Sequence, residues 1–245
     1  MTQQKPFRLG ILVGRFQTFH TGHEYMINKA LALCERVGVF IGSSQESGTE
    51  KNPFPYELRA ELLRAVFAES LEIYPLPDIG VGNNARWGEY VLEEVCRRFG
   101  TAPDLLVSGK EERRLDWFDG VAGLSVSELY VPKLINISAT EMRGFFVENN
   151  EQAFRAYTNP ALWPFYERLR APVLAARQHT ETMSIYTKRR PFSQEACAHR
   201  HVAARYRPLQ IQYGPGHLPQ AHRSERPIRF QVPQPRRDLH ARNGG

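Results

Sequence analysis

Two histidines, His20 and His23, flank Gly22 in the run Gly14-Arg15-Phe16-Gln17-Thr18-Phe19-His20-Thr21-Gly22-His23. An apolar run, Leu9 to Val13, leads into it, and Tyr25, Met26, Ala30, Leu31 and Leu33 recur behind it at three- and four-residue steps. That spacing predicts a buried strand turning into a helix, with both imidazoles around the helix's first turn. Amide groups there lack intrahelical partners and the helix dipole is positive, so the place favours a phosphate. Two imidazoles and the Arg15 guanidinium aimed at one spot suggest a nucleoside triphosphate. His-x-x-His also serves as a metal pair or as two ordinary histidines. Zinc needs a third ligand, however, and residues 1–176 hold no other histidine and no paired cysteines.

The same chemistry recurs later. Ser138 followed by Glu141 reads as a capping box opening a helix, with Thr140 inside it and Arg143 one turn along. Polar loops fall just after the other apolar runs: Gly42 to Pro55 after Val37–Ile41, Asp78 to Trp87 after Leu71–Pro77, and Ser108-Gly109-Lys110 after Asp104–Val107. A fifth strand is expected at Ser127–Val131. Helices are expected at Tyr56–Phe67, about Trp87–Arg98, near Glu151–Tyr157 and over Pro160–Leu169. Strands alternating with helices predict an α/β fold, a Rossmann-like doubly wound parallel five-stranded sheet with helices on both faces. The polar clusters then share its carboxyl edge, where such sheets bind ligands.

Charge divides the 245 residues in two. The net charge is +6, yet residues 177–245 hold 13 Lys+Arg against 4 Asp+Glu, a balance of +9, which leaves 19 against 22 before them, or −3. Six of the eight histidines also lie in that last part. The expected organisation is a mildly acidic domain over 1–175 and a basic Pro/Arg/His-rich tail over 176–245, too poor in apolar residues to pack and read as disordered. An out-of-frame origin would account for such a tail. No apolar run reaches the length of a membrane span, and the first residues carry no secretory pattern, so a cytoplasmic location is expected. The mean hydropathy is −0.46. Cys34 and Cys96 lie in helical patterns and are expected buried and reduced; with Cys197 they form neither a disulfide frame nor a metal set.

The run Gly14–His23 resembles the nucleotidyltransferase superfamily that carries the H-x-G-H motif, and Ile137-Ser138-Ala139-Thr140-Glu141-Met142-Arg143 resembles its second motif, I-S-x-T-x-x-R. With Ile41-Gly42-Ser43-Ser44-Gln45-Glu46-Ser47, Asn52-Pro53-Phe54, Asp78, Asn84 and Trp87, the likeness over about residues 7–170 narrows to nicotinamide-mononucleotide adenylyltransferases, both the archaeal type and the Nudix-fused bacterial type. The resemblance implies transfer of the adenylyl group of ATP to nicotinamide mononucleotide, giving NAD and pyrophosphate, with Mg²⁺ riding on the phosphates. It implies catalytic roles for Arg15, His20, His23 and Arg143, and ATP contacts from these with Gly14, Phe16, Gly22, Ser108, Gly109, Ser138 and Thr140. It puts the mononucleotide against Ser43, Lys51, Asp78, Asn84 and Trp87, with no protein metal site. Trp87 reads equally as a core anchor opening a helix, and Lys51 as a solvated loop lysine.

Some residues depart from the pattern. Thr18 stands where the family usually has proline, and Gly48 where histidine is common. Ser108 to Arg114 is closer to the Nudix-fused form, yet no Nudix box occurs in residues 176–245, so that form's second activity is not expected. Two other readings stay open. One keeps the fold with another acceptor: nicotinate mononucleotide, phosphopantetheine or a sugar phosphate. The other is a nucleotide-sensing or nucleic-acid-binding protein using the arginine-rich tail, although that tail lacks aromatic interleaving. The expected partners are small molecules and further copies of the chain, with neither membrane nor nucleic acid.

Overall fold

The computed structural model describes residues 4–109 and 114–188. Five strands, β1 (Phe7–Gly14), β2 (Cys34–Gly42), β3 (Glu72–Leu76), β4 (Leu105–Ser108) and β5 (Ser127–Tyr130), form one sheet in the order β3-β2-β1-β4-β5. Every pairing is parallel, with Leu12 opposite Val39 on one side and Val107 on the other. The helices are α1 (Thr21–Leu33), α2 (Tyr56–Phe67), α3 (Ala85–Phe99), α4 (Ala139–Val147), α5 (Glu151–Ala156) and α6 (Tyr166–Lys188).

Strand alternation sorts the core onto two faces. Leu9, Ile11, Phe40, Leu76 and Leu106 pack with Val91 and Val95 of α3 and with Trp117. Leu12, Val37, Val39, Ile41, Leu105 and Val107 face the opposite side, with buried residues of α1, α2, α4, α5 and α6. Helices on both faces leave the carboxyl ends of the strands open. Because β1 lies between β2 and β4, the chain reverses direction across the sheet at β1, which makes that strand's end the natural crevice for a ligand. The doubly wound fold expected from the alternating pattern is the fold observed.

One close approach fixes α3. A Cβ on Gly88 would lie 2.0 Å from the carbonyl oxygen of Trp117, so only glycine lets the helix lie against the turn at Leu115–Trp117.

Two details differ from the sequence reading. Cys34 is not helical: α1 stops at Leu33 and Cys34 opens β2, fully buried, its thiol pushed up to about 11 chiefly by burial. The tail does not begin at 176. α6 runs on to Lys188, because Val173 and Ala176 are buried on it and Arg177 pairs with Glu181 one turn later at 2.9 Å. The reading of 189–245 as disordered, Cys197 included, falls outside the described residues. Among those described, no helix is long and apolar enough to cross a membrane.

Candidate active site

The turn from β1 into α1 is built around His20. Its backbone is extended (φ −150°, ψ 170°), it is the N-cap, and its Nδ1 accepts the Gly22 N–H at 3.1 Å. An imidazole that accepts at Nδ1 keeps its proton on Nε2. Burial lowers the His20 pKa to about 4, with Lys133 adding to the effect and Glu141 opposing it. His20 is therefore neutral at neutral pH and has an Nε2–H to donate. The His23 ring stacks on it, centroids 3.9 Å apart and planes 30° from parallel, and packs against Phe16 and Phe19.

The first-turn amides of α1 are occupied, which corrects the expectation that they await a phosphate. Thr21 N–H donates to the Tyr157 carbonyl at 2.9 Å, and His23 and Glu24 donate to the His20 carbonyl at 2.9 and 3.1 Å. Gly22, whose N–H bonds His20, is needed for that ring: a Cβ there would sit 3.0 Å from it. What α1 presents outward is imidazole N–H, not backbone.

The start of α4 is open where that of α1 is closed. Ser138 is its N-cap, accepting the Glu141 N–H at 3.2 Å. The capping-box pair forms as read, with one change. The Glu141 carboxylate accepts a hydrogen bond from the Ser138 O–H at 2.6 Å instead of reaching the cap's backbone N–H. Among the described residues the Ala139 and Thr140 amides have no hydrogen-bond partner. Arg143 follows one turn on, half-buried, donating to the Thr140 hydroxyl at 3.2 Å and to the Gln17 carbonyl. Arg15 reaches the Asn52 side-chain oxygen at 3.4 Å. Burial pushes the Arg143 pKa down, and the nearby charge of Arg15 adds to it. Among the described residues, neither guanidinium is in an ion pair.

Two buried devices hold these loops in register. Gln17 donates to the Phe54 carbonyl and accepts the Phe54 N–H, both at 3.0 Å, fastening the loop after β1 to the loop after β2. Arg59, fully buried on α2, donates to the carbonyls of Arg15 at 2.9 Å, Gly42 at 2.8 Å and Ser43 at 3.1 Å. Burial lowers its pKa to about 10, so it stays charged.

A cavity of about 690 Å³ opens over the carboxyl ends of the strands. Gly14, Arg15, Phe16, His20, Gly22, His23, Ser43, Lys51, Asp78, Trp87, Ser108, Gly109, Ser138, Thr140 and Arg143 all line it. Ser43 is buried with its carbonyl held by Arg59, whereas Lys51 and Asp78 are exposed at the rim. The Ser108 hydroxyl is committed to Glu128 at 2.6 Å, so Ser108 faces the cavity without a free side-chain donor. Trp87 packs against Tyr90 and the core, and it also lines the cavity.

Asn84 is not among the lining residues. It caps α3, accepting the Trp87 N–H at 3.1 Å and donating to the Val81 carbonyl at 2.7 Å, while Asn83 lines the cavity in its place. Lys133 and Asn52 also line the cavity and had no assigned role, and neither did Arg59 or Gln17. The signal for Arg59 was present: it stands three and four residues before the buried Leu62 and Leu63, on the apolar face of α2.

Residues 11–117 match the cytidylyltransferase-like family. The nicotinamide-nucleotide adenylyltransferase of Thermococcus onnurineus is 42% identical over 93 residues, 36% of this chain and 49% of that one. That of Aeropyrum pernix is 40% identical over 107 residues, 41% of this chain and 58% of that one. The chain spans about half the length of the curated relatives it matches. A bifunctional NMN adenylyltransferase/ADP ribose pyrophosphatase from Francisella tularensis superposes with a TM-score of 0.59 at 22% identity, over 76% of this chain and 58% of that one. The same protein has been solved with AMP and a manganese ion, at a TM-score of 0.57, 21% identity and coverage of 76% and 57%. The resemblance read from the motifs is thus borne out: along residues 11–117 the chain is similar to the cytidylyltransferase-like nucleotidyltransferases, among them nicotinamide-nucleotide adenylyltransferases, and it shares their fold.

Proposed function

We propose that this protein transfers the adenylyl group of ATP to nicotinamide mononucleotide, forming NAD and releasing pyrophosphate. One observation carries the reading. Two guanidiniums that make no ion pair among the described residues, two stacked imidazoles and the α4 amides without a partner among those residues converge on one cavity at the topological switch of the sheet. Such a set suits a triphosphate.

In this reading an oxygen of the mononucleotide phosphate attacks the α-phosphorus in line, and the bond to the bridging oxygen of pyrophosphate breaks. The nucleophile is already an anion, so no base is needed. The protein's work is to hold two repelling polyanions in line and to stabilise charge on the phosphoryl oxygens. His20 donates through Nε2, and His23 joins it on the α- and β-phosphates. Arg15 and Arg143 take the triphosphate and the leaving pyrophosphate, and the Ala139 and Thr140 amides take its far end. Ser138 contributes by shaping that helix start, since its hydroxyl already donates to the Glu141 carboxylate.

Among the described residues no group of three or more His, Cys, Asp or Glu side chains is placed to hold a metal ion. Mg²⁺ is proposed to arrive as part of the ATP substrate, since it keeps several waters and binds chiefly through substrate phosphates. The pyridine ring is placed against Trp87, where a cationic ring over indole is favoured by about 0.5–2 kcal/mol. A cytoplasmic location goes with this reading. The test is pyrophosphate release from ATP with a panel of mononucleotides; a preference for a non-pyridine acceptor would overturn the choice of substrate.

A further inference from the structure

The loop that carries Asp78 and leads into Trp87 is held from outside at both ends: the Trp117 indole N–H donates to the Asn83 side-chain oxygen at 2.7 Å, and Gln45 holds Asp78. Gln45, after β2, donates from Nε2 to the Asp78 carbonyl and accepts the Asp78 N–H at Oε1, both at 3.0 Å. This is the same two-bond exchange that Gln17 makes with Phe54, repeated one loop further along the sheet edge. The two clamps differ in setting: the Gln17 pair is buried and the Gln45 pair is exposed. Between Asp78 and Asn83 the turn is closed locally. Asp78 accepts the Gly80 N–H at 2.9 Å, and Gly80 and Gly82 both have positive φ, 74° and 77°, so the stretch from Asp78 to Gly82, once released by Gln45, would have wide conformational freedom.

We propose that Gln45 is a positioning residue for the acceptor substrate, ordering the Asp78 end of the loop that leads into Trp87 without touching the ATP half of the site. The inference rests on the function proposed above. The physical reason for the separation is exposure. Breaking an exposed clamp hands its backbone groups to water and leaves nothing buried unsatisfied, so folding is barely affected. Ordering the loop again then falls to the acceptor when it binds, which weakens that substrate alone.

The test compares Gln45→Ala and Gln45→Glu with the unaltered full chain. Gln45→Ala should raise the KM for nicotinamide mononucleotide about tenfold, as expected for two lost hydrogen bonds. The KM for ATP and the thermal midpoint should not move. Gln45→Glu keeps the acceptor for the Asp78 N–H but loses the donor to its carbonyl, and should fall between. Hydrogen exchange over residues 77–84, measured without substrate, should be faster in Gln45→Ala. An unchanged acceptor KM, a parallel rise in both KM values, or unaltered exchange would each overturn the proposal. If the unaltered protein releases no pyrophosphate with the mononucleotide, the functional reading fails, and the exchange contrast still decides whether the clamp orders the loop.

Discussion

The guanidinium of Arg59 donates to the backbone carbonyl of Arg15 at 2.9 Å, so a buried cation on α2 sets the backbone that carries an exposed-facing one. The same nitrogen reaches Gly42, and its neighbour reaches Ser43, which ties the ends of β1 and β2 to one point. Replacing Arg59 by Met leaves those carbonyls buried without donors. The expected loss is about 3 kcal/mol or more of unfolding free energy, read by urea denaturation. Arg59→Lys retains the charge but not the fork, and should recover only part of the stability and of the ATP affinity. Full recovery by lysine would show that the charge alone matters.

His20 and His23 differ in what their loss should do. His23 packs on His20 and on two phenylalanines, whereas His20 is the cap of α1. His23→Ala should lower kcat far more than it weakens ATP binding, by the about 2.7–4 kcal/mol typical of a lost transition-state donor. His20→Ala should add to this the loss of a helix cap, about 1 kcal/mol of stability. Steady-state kinetics with ATP titrations separate the two, and an unchanged kcat in His23→Ala would remove it from the chemistry.

How far the sequence could be read follows from which forces are local. Leu12, Val39 and Val107 announce buried parallel strands through composition, and Ser138–Glu141 announces a helix start through spacing, so both were readable. The closure of the α1 amides was not, because the Thr21 partner is Tyr157, brought in only by the tertiary fold. Gln17–Phe54 and Arg59–Arg15 are likewise long-range bonds from side chains to backbone, which no residue pattern encodes. Asn84 shows the opposite limit. A cap and a ligand contact need the same residue type at the same helix start, and only coordinates tell them apart.

The buried His20 should make the protein acid-sensitive in a defined window. The imidazole is protonated below about 6.5 in the unfolded chain, but only below about 4 in the folded one. Between those values the unfolded state binds more protons, so stability is complete above the upper value and falls as pH drops toward the lower. The whole window is worth about 3 kcal/mol. His20→Asn keeps a capping side chain and does not titrate, so its unfolding free energy should fall less steeply from pH 7 to pH 4.5. Parallel slopes for the two proteins would show that other groups set the acid limit.

Trp87 and Asn84 divide the acceptor question. Asn84 spends both ends of its carboxamide inside the protein, on the Trp87 N–H and the Val81 carbonyl, whereas the Trp87 ring lines the cavity. Asn84→Asp retains the acceptor that caps α3 and should bring a carboxylate to a helix N-terminus, which the dipole tolerates. Its acceptor KM should therefore change little, while Asn84→Ala should lose about 1 kcal/mol of stability with the cap. Trp87→Leu keeps apolar volume in the core but loses the aromatic face. Its KM for nicotinamide mononucleotide should rise by about fivefold or more, the low end of a cation–π contact together with lost ring contact, with the KM for ATP unchanged. Acceptor and ATP titrations on the three variants read this directly. A large acceptor effect in Asn84→Asp with none in Trp87→Leu would reverse the assignment and make the carboxamide the contact that chooses the pyridine nucleotide.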